Sequence, residues 1–149
     1  MVIRDIKREE KDLFFQMAED FYSPASGACL FGMNREHMEN TFALCMEENP
    51  YARLLLVEDG EEILGFCMLS FTWSNEVGGL VVLLEELYFK EEARGKGYGK
   101  QVMSWVEKEY PKARRFRLEA TKSNQGAIGL YEKMGYQELP YYQMVKDKG

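Results

Sequence analysis

The stretch Arg94-Gly95-Lys96-Gly97-Tyr98-Gly99-Lys100 follows an apolar, strand-like run and opens a helical pattern, and its reading decides the fold. Glycines there remove Cβ atoms, so backbone N–H groups can close on an anion at a helix N-terminus, where the macrodipole also favours negative charge. In chemical terms this is a phosphate cradle. It is not a P-loop, which needs GxxxxGK followed by Ser or Thr, and the GxGxxG dinucleotide pattern fails because Lys100 stands where the third glycine belongs. Glu119, near the place of a ribose-binding acid, is set aside as chance. A solvated glycine turn would use the same residues without any ligand.

Upstream of the cradle, Ala52 to Glu58, Ile63 to Trp73 and Leu80 to Phe89 are strand-like, separated by Asp59-Gly60 and Asn75 to Gly79, and predict a meander of antiparallel hairpins. Before them, Val2 to Ile6 alternates as a short strand, and Glu9 to Tyr22 spaces Phe14, Met17, Ala18 and Phe21 as an amphipathic helix. A loop over Ser23 to Phe31 leads to a second helix from an Asn34 N-cap to about Glu48, ended by Asn49-Pro50. Downstream, Gly97 to Tyr110 is helical, Arg115 to Ala120 alternates as a strand, and Asn124 caps a helix whose stripe is Ala127, Leu130, Tyr131 and Met134. Gly135 takes its C′ position, and Tyr136 to Val145 predicts one or two final short strands around Pro140. The order predicts an α/β (α+β) fold: a mixed, mostly antiparallel sheet of six to seven strands with helices on both faces. The unit from 80 to 120 should be a right-handed crossover that makes strands four and five parallel.

The 149 residues, 46% hydrophobic and 30% charged, fit a single domain over residues 1–149. No apolar run reaches the roughly 18 to 20 residues of a membrane span, and the first residues lack a signal-peptide core, so a cytosolic location is expected. The net charge of −6 is uneven: residues 1 to 89 hold 17 acids and 6 bases, whereas residues 90 to 117 hold 9 bases and 4 acids. An acidic body with one basic block argues against nucleic acid and favours a phosphorylated small molecule as partner. Cys29, Cys45 and Cys67 are an odd, widely spaced set and read as reduced, mostly buried side chains.

With these residues the chain resembles the GNAT superfamily of acetyl-CoA-dependent N-acetyltransferases. Arg94, Gly97 and Gly99 match its (Arg/Gln)-x-x-Gly-x-(Gly/Ala) motif, and Asn124 to Tyr136 matches Asn-x-x-Ala-x-x-Leu-Tyr-x-Lys-x-Gly-(Phe/Tyr). The resemblance covers residues 80 to 137 well. It implies a GNAT-like sheet in which strands four and five splay, with acetyl-CoA as cosubstrate and no metal. It further implies that Arg94, Gly95, Lys96, Gly97, Tyr98, Gly99 and Lys100 hold the pyrophosphate, that free backbone groups of Leu87, Tyr88 and Phe89 at a bulge take the pantetheine arm, and that Asn124 contacts the cosubstrate. Tyr131 would protonate the leaving thiolate, since a phenol stays protonated at neutral pH; on the residues alone, a tyrosine on an apolar stripe is ordinarily a core residue.

Transfer to an amine also needs a base, and Glu85-Glu86 interrupts an apolar run on strand four. Spermidine and diamine acetyltransferases carry Glu-Asp in that place, and this chain is similar there. Successive strand residues face opposite ways, so at most one of the pair should meet the acceptor; Glu85 is the first choice and Glu86 the alternative. The expected reaction is direct attack in a ternary complex, because nothing nearby activates Cys67 for a covalent route. His37 is expected at the surface, and Tyr22, Phe31 and Trp73 are candidates to line the acceptor pocket. The acidic body favours a small cationic amine or polyamine. A protein N-terminus or lysine of the ribosomal-protein type, or a CoA-binding module without turnover, are the alternatives. Family members are often dimers, and Tyr141 to Val145 could supply a shared sheet edge or lie covered within one chain.

Overall fold

The hairpin signals produce the sheet. In the computed structural model, which describes residues 1–149, β1 (Val2–Asp5), β2 (Ala52–Asp59), β3 (Glu62–Ser74), β4 (Gly79–Phe89) and β5 (Arg115–Leu118) lie side by side in sequence order. The first three contacts are antiparallel and β4–β5 is parallel, as the crossover required. Asp59-Gly60 turns the β2–β3 hairpin with Gly60 at φ 63°, a left-handed angle that suits glycine.

Helices cover both faces. On one, α1 (Lys11–Phe21) and α2 (Arg35–Cys45) bring Phe14, Met17, Phe21 and Phe42 onto Leu54, Leu56, Phe66 and Tyr88. On the other, α3 (Tyr98–Glu109) and α4 (Gln125–Lys133) pack Val102, Met103, Val106 and Tyr131 against Leu55, Val57, Cys67, Leu69 and Leu84. Odd residues of β2 serve one face and even residues the other, so its apolar run is buried on both sides. The predicted caps form: Asn34 accepts from the His37 N–H at 3.0 Å and Asn124 from the Ala127 N–H at 3.4 Å. His37 is exposed.

The sheet has five strands, not the six to seven expected. Residues 137–149 form no strand, and local geometry accounts for this. The Tyr136 N–H turns back to the Tyr131 carbonyl at 3.0 Å. Pro140 has no N–H to give to a ladder, and the Tyr141 hydroxyl is engaged by Glu76 near the β3–β4 turn. The last residues therefore run beside that turn, framing a groove of about 540 Å³ with Trp73, Arg115 and Arg117, while Tyr142, Met144 and Val145 stay exposed. Cys67 is buried, whereas Cys29 and Cys45 are half-buried; all three are free thiols.

One close approach holds β3 to the end of β4. Gly65 lies opposite Phe89, and a Cβ there would fall 1.9 Å from the Tyr88 carbonyl oxygen. Gly65→Ala should therefore force the strands apart and lower stability by about 1–3 kcal/mol. Urea unfolding reads this as a lower midpoint at constant slope; an unchanged midpoint would contradict the contact.

Candidate active site

Pairing between β3 and β4 slips by one residue in mid-strand: Leu69 lies opposite Leu84 and Met68 opposite Glu86, leaving Glu85 as the extra residue of a β-bulge. The bulge resets the alternation. Leu84 belongs to the α3/α4 face, yet Glu86 points to α1, where the Tyr22 hydroxyl donates to its Oε2. Glu85 accepts from Ser70 Oγ at 3.0 Å. Ser70 sits between Leu69 and Phe71, both on the α3/α4 face, so it faces the α1 side. Both glutamates thus lie on one face, contrary to strict alternation, and they differ in burial: Glu85 is exposed and Glu86 is 8% exposed.

Burial pushes the Glu86 carboxyl up to about 7, and the charge of Glu85 adds to the rise; the Tyr22 hydrogen bond acts in the opposite sense. Tyr22 is itself pushed up, first by burial and then by Glu86, so it remains the donor. Burial and then Glu86 raise the Cys29 thiol to about 11, and the same two causes raise buried Cys67. Neither cysteine is a thiolate at neutral pH. Two residues beyond Glu86, Tyr88 donates to Asp20 Oδ2 at 2.5 Å. The last turn of α1 therefore grips β4 twice, through Asp20 and through Tyr22.

Beyond the bulge β4 loses a neighbour. Parallel pairing ends at Leu84 opposite Leu118, so from Glu85 to Phe89 no strand pairs with β4 on its β5 side. Leu87 and Phe89 turn their side chains to the α3/α4 face and Tyr88 to the α1 face. The glycine loop follows directly. Gly95 has φ 74° and Gly97, the N-cap of α3, has φ 84°. Lys96 and Lys100 are exposed, and the Tyr98 ring stacks on Phe89 with centroids 6.1 Å apart. Arg94 is exposed but folded back over β4: Nε donates to the Phe89 carbonyl at 2.8 Å, the guanidinium lies 5.6 Å from the Tyr88 ring centroid, and Nη2 reaches Asp20 at 3.5 Å.

Helix α4 closes the other side without a single fully buried residue. Tyr131 packs on the α3/α4 face; burial and then Cys67 push its hydroxyl up, and no hydrogen bond contributes. A Cβ on Gly126 or Gly129 would meet nothing within 4 Å, so no part of the chain needs those glycines. On the α1 side the loop before α2 crosses toward α4, where Thr121 Oγ1 donates to the Gly27 carbonyl at 2.8 Å. Of the aromatic candidates, Tyr22 reaches Glu86. Phe31 is exposed on that loop, and Trp73 lies at the far end of β3. Sequence reasoning missed Asp20 and Cys29, for which neither periodicity nor motif gave a signal. No group of three or more metal-ligating side chains converges anywhere in the chain, and no helix is long and apolar enough to cross a membrane.

A parallel pair opened at a bulge, with a glycine loop at its mouth, defines a class of protein. The acetyltransferase (GNAT) family model matches residues 12–136, and the chain belongs to that family of acetyl-CoA-dependent N-acetyltransferases. Over 138 residues, 91% of this chain and 80% of the relative, it is 29% identical to a Bacillus subtilis (strain 168) protein named as a candidate ribosomal protein bS18-alanine N-acetyltransferase. It is 32% identical over 94 residues to the uncharacterized N-acetyltransferase YhfO of the same organism, and 30% identical over 102 residues to thialysine N-epsilon-acetyltransferase from Sus scrofa. Those two matches span 62% and 59% of the relatives' own lengths. The fold superposes on AAC(6')-Iy, solved with a CoA-S-monomethyl-acetylneamine bisubstrate analogue, at TM-score 0.77 and 14% identity over 99% of this chain and 98% of that one.

The Glu86 carboxyl also makes stability depend on pH. Its folded pKa, about 7, lies above the ordinary carboxylate value of 4.5, so its contribution is fully present below pH 4.5 and is lost as pH rises toward 7. Glu86→Gln keeps an acceptor for Tyr22 and removes this titration. Its melting temperature should match the wild type near pH 4.5 and exceed it increasingly up to pH 7, then hold a constant lead. Thermal melts across pH 4 to 9 would show a flat difference if Glu86 were not strained by burial.

Proposed function

We propose that this protein transfers the acetyl group of acetyl-CoA to a primary amine by direct attack in a ternary complex. The observation that carries this reading is the bulge at Glu85. It ends the β4–β5 pairing, frees one edge of Leu87, Tyr88 and Phe89 for an amide-bearing ligand, and turns a buried carboxylate toward the α1 side of the same gap. The residues fit acetyl-CoA. Exposed Lys96 and Lys100 beside two left-handed glycines suit a pyrophosphate, the open edge suits the pantetheine arm, and the open face at Gly126 and Gly129 leaves room on α4. Gly95, Tyr98 and Gly99 supply loop backbone, Arg94 fixes that loop to β4, and Asn124 aims the start of α4. Bound acetyl-CoA supplies the activated thioester.

Glu86 is the general base in this reading, chosen over Glu85 because burial brings its carboxyl near neutrality, where a base works best. A backbone N–H of the free β4 edge polarises the acetyl carbonyl. Tyr131, protonated and without a hydrogen-bond partner in the chain, gives a proton to the departing sulfur. The favoured acceptor is a small cationic amine or polyamine, drawn by the acids of the first 89 residues and by exposed Glu85 beside Glu86. A protein N-terminus is the second reading, supported by the match to the bS18-alanine acetyltransferase candidate along 91% of the chain.

Thermal unfolding with acetyl-CoA, CoA, ATP and NAD in separate samples tests the cradle. Ligand at roughly 100 times its dissociation constant adds about 2.7 kcal/mol, so the two CoA species should raise the midpoint and the others should not. Gly97→Val should fold yet lose that rise, because a branched side chain at φ 84° distorts the loop and occupies the anion's place; a retained rise would count against the cradle. Tyr131→Phe should keep the rise while turnover falls at least about 10-fold, measured by thiol release with diamines and with a peptide beginning in alanine. Full turnover would remove Tyr131 from the chemistry, and the acceptor that supports turnover separates the two readings.

A further inference from the structure

The partner that holds Glu86 comes from far away in the sequence. Tyr22 follows the last residue of α1, and its hydroxyl is the side-chain donor to the Glu86 carboxylate. The contact is anchored on both sides. Phe21 sits in the α1/α2 core, its ring 5.2 Å from that of Tyr22, and Asp20 is bonded to Tyr88 and Arg94, so the turn carrying Tyr22 is fixed to β4. On the strand side the bulge sets Glu86 on the α1 face rather than the α3/α4 face.

We propose that Tyr22 is a positioning residue for Glu86: its hydroxyl holds the carboxylate in the gap beside the opened strands and favours the ionised form over the protonated one. This rests on the reading of Glu86 as the base. Every other titratable neighbour is acidic or neutral in this setting. Glu85 on β4 disfavours the Glu86 charge directly. Cys29 from the loop before α2 and Cys67 from β3 are thiols whose own ionisation Glu86 suppresses. Asp20 on α1 is engaged by Tyr88 on β4 and by Arg94 after it, which spends that guanidinium away from Glu86. Tyr131 on α4 packs with Cys67 on the α3/α4 face of the sheet, opposite the face to which Glu86 points. The Tyr22 hydroxyl is therefore the group that counters burial. With it, a buried carboxylate can take a proton from an ammonium near neutral pH; without it, the same carboxylate would stay protonated to higher pH.

The test is Tyr22→Phe, followed by two readouts on the full chain. One is kcat/KM against pH with a diamine acceptor. The other is direct titration of the Glu86 carboxyl by carbon-13 NMR of glutamate-labelled protein, with the signal assigned by its absence in Glu86→Gln. Both midpoints should rise by about 1–2 pH units, the size expected for loss of one hydrogen bond to a charged group. Incorporating 3-fluorotyrosine at position 22, a stronger donor of nearly the same shape, should move both midpoints down. That second protein decides the question where the phenylalanine variant is poorly folded. An NMR midpoint that does not move in either protein overturns the inference. An NMR midpoint that moves while the rate profile stays fixed upholds Tyr22 as the holder of Glu86 and removes Glu86 from the chemistry, so the two readings fail separately.

Discussion

A single extra residue in β4 governs the arrangement. Up to Leu84 the strand is an ordinary core element, paired on both edges and buried on both faces. From Glu85 onward it is paired on one edge and carries charge within an apolar run. A regular ladder would have continued the face pattern of Val82 and Leu84 into Glu86 and Tyr88, driving a carboxylate into the α3/α4 core, where nothing would receive it. Slipping one residue sends Glu86 to Tyr22 and Tyr88 to Asp20, and delivers Leu87 and Phe89 to the apolar side in exchange. The bulge is thus the arrangement in which every side chain of this segment finds a suitable partner, and the open strand edge is its by-product.

Much of this was legible in the sequence. The hairpin turns, the caps at Asn34 and Asn124 and the apolar stripes of α1 and α4 fixed element type to within a residue or two, because each depends on neighbours in the chain. The bulge's position was half visible: two glutamates inside Leu83-Leu84-x-x-Leu87 announced a break, but period-two reasoning assigned them to opposite faces, since it contains no term for an inserted residue. Tyr22 stood out as an aromatic near a loop and Glu86 as a candidate base, but their pairing did not, because 64 residues separate them. The C-terminal segment misled for a related reason. Tyr141 to Val145 has strand composition, but a strand is defined by the edge it joins: β5 offers an edge of only four residues, and Pro140, just before the segment, has no N–H to give to a ladder.

Charge is distributed along β4 in a way composition alone only hinted at. Exposed lysines stand beyond its C-terminal end, and the carboxylates stand at its middle. Between them Arg94 lies over Tyr88, donating to Phe89 and reaching Asp20. The one basic side chain of the glycine motif that folds back over β4 is therefore partly neutralised by Asp20 of α1, which keeps positive charge at the loop and away from Glu86. In the proposed reading this separation lets one short strand serve an anionic group at one end and a cationic amine at its middle.

Helix α4 makes the same argument from the opposite side. Two interior glycines cost a helix roughly 1 kcal/mol each against alanine, and within the chain nothing returns that cost, since the space over both is open. The helix also buries no residue completely and presents a tyrosine hydroxyl without a partner. In the proposed reading, what shapes this helix is the ligand that lies in the gap opened at the bulge in β4. Strand and helix are each under-satisfied toward one another, and a ligand that occupies the gap would satisfy both at once.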